Sequence, residues 1–400
     1  MARAIQGLTQ VATKPEPGRE AASAQAPQPR IADAGVQRMV CLDWQDLAGR
    51  SAEWDRLAED ASEPNPFLES WYLLPALRAF RDKRVQVLCY EEDGRLRGLL
   101  PIQFCFSYYG RPIPHISTWI HGNCFLGVPL VARGAEVAFW RSMLAWADAE
   151  PGTALFLHLK MLTIGGAVHA ALDAVLATQV RRNELVLRNQ RALLESGLTP
   201  EQYWEGSLSA KKRKELRRQA NRLAEHGELA FARTTGSDGL ERWTGEFLAL
   251  EAAGWKGHAG SSLATSAATA SLFCESLAGA ARRGRLERLS LTLDARPIAM
   301  LANFLTPPGA FSFKTTFDES FARFSPGVLL QQHNLAMLNR PEIAWTDSCA
   351  SEGHPMIDHI WRERRAIGHI SIAIGGHLRR SLFGRLVDIE TRRKPGDDAP

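Results

Sequence analysis

Hydrophobic residues recur along the chain with two spacings, and these spacings predict its secondary structure. Alternating apolar and polar residues predict strands, whereas apolar residues three or four positions apart predict helices. In the first half they predict helices at Trp44–Asp60 and Phe67–Phe80, strands at Val85–Glu91, Arg95–Phe104, Ile113–Ile120 and Leu126–Val131, a helix at Ala135–Ala149, a strand at Ala154–Leu159, a helix at Val168–Val175, and strands at Leu185–Leu187 and Arg191–Glu195.

The second half repeats this order without similarity in sequence. The pattern predicts helices at Pro200–Ser207 and Ala210–His226, a strand at Glu228–Thr234, helices at Gly239–Ala253 and Thr265–Arg283, strands at Leu286–Asp294, Pro297–Leu305 and Phe311–Phe317, a helix at Gly327–Leu338, a strand at Ile343–Ser348, and a helix at Met356–Ile367. Antiparallel hairpins followed by a late crossover are typical of an α+β fold. The repeat therefore predicts two α+β units in tandem, each with a mixed sheet flanked by helices.

The segment from Gly309 to Gly327 contains the clearest candidate for ligand binding. A strand-like run is followed by a polar loop and then by Ser325-Pro326-Gly327 at the start of an amphipathic helix. Proline suits a first helical turn, and the exposed amides and dipole of that turn attract anions. The same residues also fit a plain N-cap with a first-turn proline. The two interpretations are compatible.

The segment GWKGHAG, which contains Trp255 and Lys256, is a second candidate. An irregular, glycine-rich turn after a helix presents an aromatic face and a cation to a ligand, and Glu251 lies one helical turn earlier. In the alternative interpretation, glycine ends the helix, Trp255 packs in the core and Lys256 is solvated.

Composition restricts the class of protein. The 400 residues are 45% hydrophobic and 23% charged, with a net charge of +4, which is enough apolar content for two globular domains and too little charge for a dedicated DNA-binding protein. No apolar run has the length of a membrane span or signal sequence, and the six cysteines are scattered, so we expect a cytoplasmic protein with free thiols and no metal. Residues 1–36 and the last ten residues have the composition of disordered tails.

Three segments of the second half resemble the GNAT acetyltransferase superfamily. They are SAKKRKELRRQANRLAEHGEL from Ser209, LEAAGWKGHAGSS from Leu250, and KTTFDESFARFSPGVLL from Lys314. The resemblance is to the branch that contains the CelD/BcsL-type proteins associated with cellulose biosynthesis and the Fem-type peptidoglycan aminoacyltransferases. It implies two GNAT-like domains, at about 38–190 and 199–368, followed by an amphipathic segment and tail at 369–400.

The resemblance also implies a function and a set of site residues. We expect an acyltransferase that moves an acyl group from acetyl-CoA or another acyl-CoA to an amine or hydroxyl of a sugar or envelope precursor. The donor would bind Arg323, Ser325, Pro326 and Gly327, although the usual loop has a further glycine. An acyl transfer needs a base and a group that stabilises the oxyanion. The proposed catalytic residues are Glu251, Lys314 and Asp347, and the proposed substrate-binding residues are Trp255, Lys256 and Asp318.

Two further features leave the partners open. Seven cations crowd the helix predicted from Ala210, which suits phosphates of CoA, a nucleotide sugar, tRNA or a membrane surface, but equally suits a solvated helix face. An apolar stripe from Ile367 to Leu386 with nearby arginines predicts a peripheral membrane contact. The alternatives to an acyl-CoA enzyme are a noncatalytic GNAT-like module of polysaccharide assembly and a Fem-type transferase that uses aminoacyl-tRNA.

Overall fold

The computed structural model describes residues 36–80 and 84–392. The remaining residues, 1–35, 81–83 and 393–400, include most of both predicted tails, which therefore lie outside the described residues. The elements of the first half are β1 (Gln37–Leu42), α1 (Trp44–Ala48), α2 (Ser51–Glu59), α3 (Ser70–Phe80), β2 (Val85–Glu92), β3 (Arg95–Cys105), β4 (His115–Thr118), β5 (Leu130–Val131), α4 (Glu136–Ala149), β6 (Phe156–Thr163), α5 (Ala167–Thr178) and β7 (Asn183–Leu194).

The second half continues with the same kinds of element. They are α6 (Pro200–Ser207), α7 (Ala210–Ala224), β8 (Leu229–Thr235), α8 (Leu240–Ala253), α9 (Trp255–His258), α10 (Ala267–Arg282), β9 (Leu286–Leu293), β10 (Arg296–Thr306), β11 (Gly309–Phe317), α11 (Pro326–Asn334), β12 (Trp345–Asp347), β13 (Glu363–Ala373) and α12 (His377–Arg392). Short 3-10 turns lie at Glu319–Phe324 and Ile357–His359. No helix in the described parts of the chain is long and apolar enough to cross a membrane.

The strands of the described residues form one mixed sheet with an internal symmetry. Its order is β1-β2-β3-β4-β6-β13-β7-β12-β11-β10-β9-β8, and β5 pairs with β3. Only the pairs β4 with β6 and β11 with β12 are parallel. The counterparts in the two halves are β1 and β8, β2 and β9, β3 and β10, β4 and β11, β6 and β12, and β7 and β13. Exchanging each strand for its counterpart gives the same order, read from the opposite edge of the sheet. The last strand of each half lies between its neighbours from the other side of the sheet: β13 lies between β6 and β7, and β7 lies between β13 and β12. The predicted α+β tandem fold with mixed sheets and flanking helices is confirmed.

Several predicted boundaries differ from the structure, and one predicted element is wrong. The helix predicted at Met356–Ile367 is a 3-10 turn followed by strand β13, and β13 pairs with both β6 and β7. Ile367 and Ile370, the first residues of the predicted apolar stripe, are buried in that strand. The stripe therefore continues on a separate helix, α12, where Leu378 and Leu382 are exposed. Tertiary pairing has here overridden a helical spacing.

The hydrophobic core extends through both halves. Phe67 and Trp71 from the first half pack against Phe304, Phe311 and Phe313 from the second. The ring centroids of Trp71 and Phe304 are 4.8 Å apart, and those of Phe67 and Phe311 are 5.8 Å apart. This aromatic cluster fixes β10 and β11 against the first half, and β11 is the strand on which the candidate site is built.

Candidate functional site

Strands β11 and β12 separate soon after they meet. Their parallel ladder joins only Gly309–Phe311 to Trp345–Asp347. β11 then continues to Phe317 with β10 as its neighbour on one side, and on the other side no strand of the described residues pairs with it. The backbone N–H and C=O groups of an unpaired strand edge can bond an extended ligand. The edge formed by residues 312–317 therefore offers hydrogen bonds to a ligand that carries amides.

The start of α11 lies beside this open edge. Ser325 has left-handed backbone angles, φ 54° and ψ 49°, and its side chain does not cap the helix. The N–H groups of Val328 and Leu329 donate to the carbonyl of Ser325, at 3.0 and 3.1 Å. Pro326 has no N–H, so Gly327 carries the first amide of the helix. The simple side-chain N-cap is thus not the observed arrangement, and the serine hydroxyl remains available.

Packing explains the absence of a side chain at Gly327. A Cβ atom there would lie 3.2 Å from Sδ of Met356 and 3.4 Å from Cδ1 of Phe317. The glycine therefore allows the segment that contains Met356 to approach the start of α11. A substitution at this position changes packing as well as charge, and an experiment at this position needs a control for that.

The GWKGH segment brings an aromatic ring and a cation to the same place. The indole of Trp255 is 59% exposed, and the backbone N–H of Trp255 donates to Oε1 of Glu319 at 2.6 Å. Nζ of Lys256 donates to Oε1 of Glu251 at 2.8 Å, and the backbone N–H of Leu263 donates to Oε2 of Glu251 at 2.8 Å. Both oxygens of the buried Glu251 carboxylate are thus engaged, and one of them holds the ammonium group of Lys256.

These segments enclose a cleft of about 1070 Å³. That volume is at the upper end of the range of about 300–1,000 Å³ for small-molecule sites. The titratable groups of its lining are Lys212, Lys256, His354 and His359, and no residue in the lining has a carboxylate. Its apolar wall includes Phe317, Val328, Met356 and Ile360. The cleft therefore suits a large ligand with an anionic part and an apolar part.

Lys314 lies on β11 next to Thr315, which lines the cleft, but Lys314 itself faces the first half. Its Nζ is 5.1 Å from the ring centroid of Phe125 and 5.8 Å from that of Phe313. Burial, and then the positive charge of Lys256, lower the pKa of Lys314 to about 8. A lysine in such surroundings remains mostly protonated at pH 7 and loses its proton readily above pH 8.

Asp347 lies between two arginines and outside the lining of the cleft. Its carboxylate is fully buried. Nη1 of Arg191 donates to Oδ1 at 3.3 Å, Nη1 of Arg365 donates to Oδ2 at 3.2 Å, and the N–H of Cys349 donates to Oδ1 at 2.8 Å. The residues that line the cleft do not include it. Its contacts give Asp347 a structural role at the junction of β12, β7 and β13.

Two other predicted site residues also lie outside the cleft. Asp318 caps the 3-10 turn by accepting from the N–H of Ser320 at 3.0 Å, and it pairs with Arg296 at 2.8 Å. The guanidinium of Arg323 lies 4.7 Å from the ring centroid of Phe324 and lines a separate groove. The structure therefore brings together Ser325, Pro326, Gly327, Trp255 and Lys256, but it separates them from Arg323, Asp318 and Asp347.

Two histidines of the cleft were missed by the sequence predictions. Nδ1 of His354 accepts from the N–H of Met356 at 3.3 Å, and burial lowers the pKa of His354. His359 is exposed at the end of the 3-10 turn Ile357–His359. The spacing of the two histidines matches no known motif; His354 precedes the helix that was predicted wrongly at Met356–Ile367, and His359 lies within it. A GHP sequence, in which Pro355 follows His354, was the available sign of a turn.

The first half has the same parallel strand pair, but its opening is filled. β4 and β6 pair at Ile116–Ser117 and Leu157–His158, after which the segment following β4 turns back across β6. The N–H of Gly127 donates to the carbonyl of Met161 at 2.9 Å. A Cβ at Gly127 would lie 2.0 Å from the carbonyl oxygen of Lys160, so this approach requires glycine. The chain itself occupies the space that is open in the second half.

Comparisons with known proteins agree with the fold. Residues 210–352 match the family described as an acetyltransferase (GNAT) domain. The chain is similar to the crystal structure of FemX, with a TM-score of 0.51 and 9% identity over 84% of this chain and 98% of that one. It is also similar to a conserved protein of unknown function from Bacteroides thetaiotaomicron VPI-5482, with a TM-score of 0.52 and 12% identity over 81% and 97% of the two chains. No curated protein sequence matches it. Residues 210–352 of the second half thus match a GNAT acetyltransferase domain, and the fold of the chain is similar to that of FemX.

Proposed function

We propose that this protein transfers an acyl group from acyl-CoA to an amine or a hydroxyl group. The single observation that carries the proposal is the cleft at the start of α11, which combines cations, a free helix amide and an unpaired strand edge without any carboxylate. CoA has phosphates at one end and an extended arm with two amides at the other. The phosphates would bind the amide of Gly327 and the ammonium of Lys256, and the arm would bond the edge of β11.

The reaction requires one bond to form, one to break and a proton to move. The acceptor nitrogen or oxygen attacks the thioester carbonyl carbon, the carbon–sulfur bond breaks, and CoA leaves as a thiolate. We assign the acceptor proton to His359, which is exposed on the cleft. Because Nδ1 of His354 accepts a backbone N–H, its neutral ring carries the proton on Nε2 and donates to developing negative charge. Protonated Lys314, which faces the first half, would stabilise the same developing negative charge by electrostatic attraction.

The acceptor is proposed from the resemblance to the CelD/BcsL-type proteins. It would be an amine or a hydroxyl on a sugar or on a precursor of the envelope or exopolysaccharide. Turnover with a panel of amino sugars and nucleotide sugars, followed by release of free CoA thiol, tests this part of the proposal. Binding of acyl-CoA without turnover of any acceptor would instead favour a noncatalytic binding module.

The donor is tested at Gly327 with two substitutions. Gly327→Ala introduces the Cβ next to Met356, and Gly327→Asp adds a negative charge at the same place. We expect acetyl-CoA to raise the melting temperature of the wild-type protein, because it binds only the folded state. The aspartate variant should bind acetyl-CoA at least about tenfold more weakly than the alanine variant, because like charges repel at the helix start. Equal affinities of the two folded variants would show that the phosphates bind elsewhere.

A second candidate donor is aminoacyl-tRNA, and α7 is the observation that favours it. Lys211, Lys214 and Arg217 are exposed on this helix, and the structure shows no ion pair for any of them. A dense row of cations beside the cleft suits a polyanionic donor, whose affinity would fall steeply with salt. Transfer of a labelled amino acid from aminoacyl-tRNA, with no release of CoA thiol from acyl-CoA, would replace the acyl-CoA proposal with this one.

A further inference from the structure

A smaller basic groove lies next to the cleft, on the other side of the turn that precedes α11. Its volume is about 280 Å³, and Arg218 and Arg222 of α7 and Arg323 of the turn line it. All three arginines are exposed, and none forms an ion pair or hydrogen bond in the structure. Glu225 is the one carboxylate of the lining. Three guanidinium groups facing one carboxylate leave an excess of positive charge, which attracts an anion.

The groove and the cleft share two walls. Along the turn, Ala322 and Ser325 line the cleft, whereas Arg323 and Phe324 line the groove. Along α7, Leu216 lines the cleft and Gln219 lines the groove, and three residues of an α-helix rise about 4.5 Å. The groove is therefore adjacent to the cleft along both the turn and α7, so one ligand can occupy both.

The carboxamide of Gln219 forms part of the wall between the arginines. Its Nε2 donates to Oε1 of Glu215 at 3.4 Å, and its Oε1 is buried within the protein. Gln219 therefore adds no charge to the groove, and the groove's attraction for an anion comes from its three arginines.

We propose that this groove binds the ribose 3′-phosphate of CoA. The inference rests on the proposed function, because it requires the diphosphate of CoA to bind at the start of α11. Arginine is suited to this role because its planar guanidinium gives a phosphate two parallel hydrogen bonds. The groove therefore distinguishes CoA from analogues that lack the 3′-phosphate, and it sets the orientation of the donor before the thioester enters the cleft.

The experiment compares CoA with 3′-dephospho-CoA by titration calorimetry on the full chain. We expect the wild-type protein to bind CoA about tenfold more tightly, as is usual for one charge-assisted contact at an exposed site. The double variant Arg222→Ala/Arg323→Ala should lose this preference and keep its affinity for 3′-dephospho-CoA. The control Arg188→Ala removes the same charge from an exposed position of β7 outside both linings, and it should keep the preference.

The possible failures are distinguishable. Equal affinities of the wild-type protein for CoA and 3′-dephospho-CoA would overturn this inference and leave the proposed function intact. Binding of neither compound would overturn the proposed function and the inference together. If the double variant lost affinity for both compounds equally, the arginines would act on the diphosphate instead. If the wild type bound the two compounds equally and the double variant lost binding of an RNA oligonucleotide, the groove would belong to a nucleic-acid surface.

Discussion

Replacement of Asp347 by asparagine tests whether this buried carboxylate serves structure or catalysis. The carboxylate accepts hydrogen bonds from Arg191 on β7 and Arg365 on β13, with donor–acceptor distances of 3.3 and 3.2 Å. Asp347 itself is the last residue of β12. The side chain of Asp347 therefore links β7 and β13, the two strands at which the halves of the sheet meet.

The expected cost follows from the two arginines. Asparagine has the same size and can still accept the N–H of Cys349, but it leaves both guanidinium groups without this counter-charge. Removal of one partner from a buried ion pair typically costs about 3–5 kcal/mol. Because Glu63 lies 3.8 Å from Arg365 and remains in place, we expect a loss of about 3 kcal/mol in the free energy of unfolding. At about 2–4 °C per kcal/mol, the melting temperature should fall by about 6–12 °C.

Denaturation and turnover measured on the same preparations decide between the two roles. Asp347→Asn should unfold at lower urea concentration and, well below its melting temperature, should keep acetyl-CoA affinity and turnover close to those of the wild type. The control is Glu352→Gln, which removes the same charge at an exposed position and should change stability by no more than about 0.5 kcal/mol. An unchanged stability with a loss of about 100-fold or more in turnover would show that Asp347 is a base after all.

Three further substitutions test other parts of the site. Glu251→Gln removes the carboxylate that holds Lys256. The affinity of this variant for acetyl-CoA, measured by calorimetry, should fall as far as that of Lys256→Ala. An unchanged affinity would show that Glu251 does not act on the donor site. Trp255→Ala should alter stability by less than about 0.5 kcal/mol but weaken CoA binding about tenfold if the indole stacks on adenine. Lys314→Met should stabilise the protein: the lowered pKa means that native Lys314 holds fewer protons than the unfolded chain between about 8 and 10.5. The variant's advantage in urea denaturation should be largest below pH 8 and vanish as the pH rises towards 10.5, and an advantage independent of pH would contradict this.

Local signals in the sequence were sufficient for much of the second half. The strands predicted at Leu286–Asp294 and Phe311–Phe317 match β9 and β11, because their alternation and flanking turns specify strands without distant partners. Ser325-Pro326-Gly327 predicted a helix start, and α11 begins at Pro326. The cleft residues Trp255 and Lys256 were also identified from a local feature, a glycine-rich turn after a helix.

Errors arose where the structure depends on distant residues. β13 has isoleucines at helical spacing, but it lies between β6 and β7, strands that end far earlier in the sequence. The surroundings of Asp347 could not be predicted for the same reason, because nothing near this residue in the sequence indicates that Arg191 and Arg365 converge on it. The turn that carries His354 was missed although Pro355 marks it locally, because the segment after it was predicted to be a helix.

The two halves of the sheet have the same arrangement of strands but contribute differently to the candidate site. Both halves contain a parallel strand pair that separates, but in the first half the segment around Gly127 fills the opening. That same segment carries Phe125, whose ring lies 5.1 Å from Nζ of Lys314. The segment around Gly127 therefore fills the opening in the first half and also forms part of the surroundings of Lys314 in the second half. Burial is the main reason that the pKa of Lys314 is lowered, and the Phe125 ring is one of the groups that bury it. The chemistry proposed for the second half therefore depends on the first half remaining in place. The exchange of β7 and β13 provides that attachment, because neither half can move without breaking strand pairs of the other.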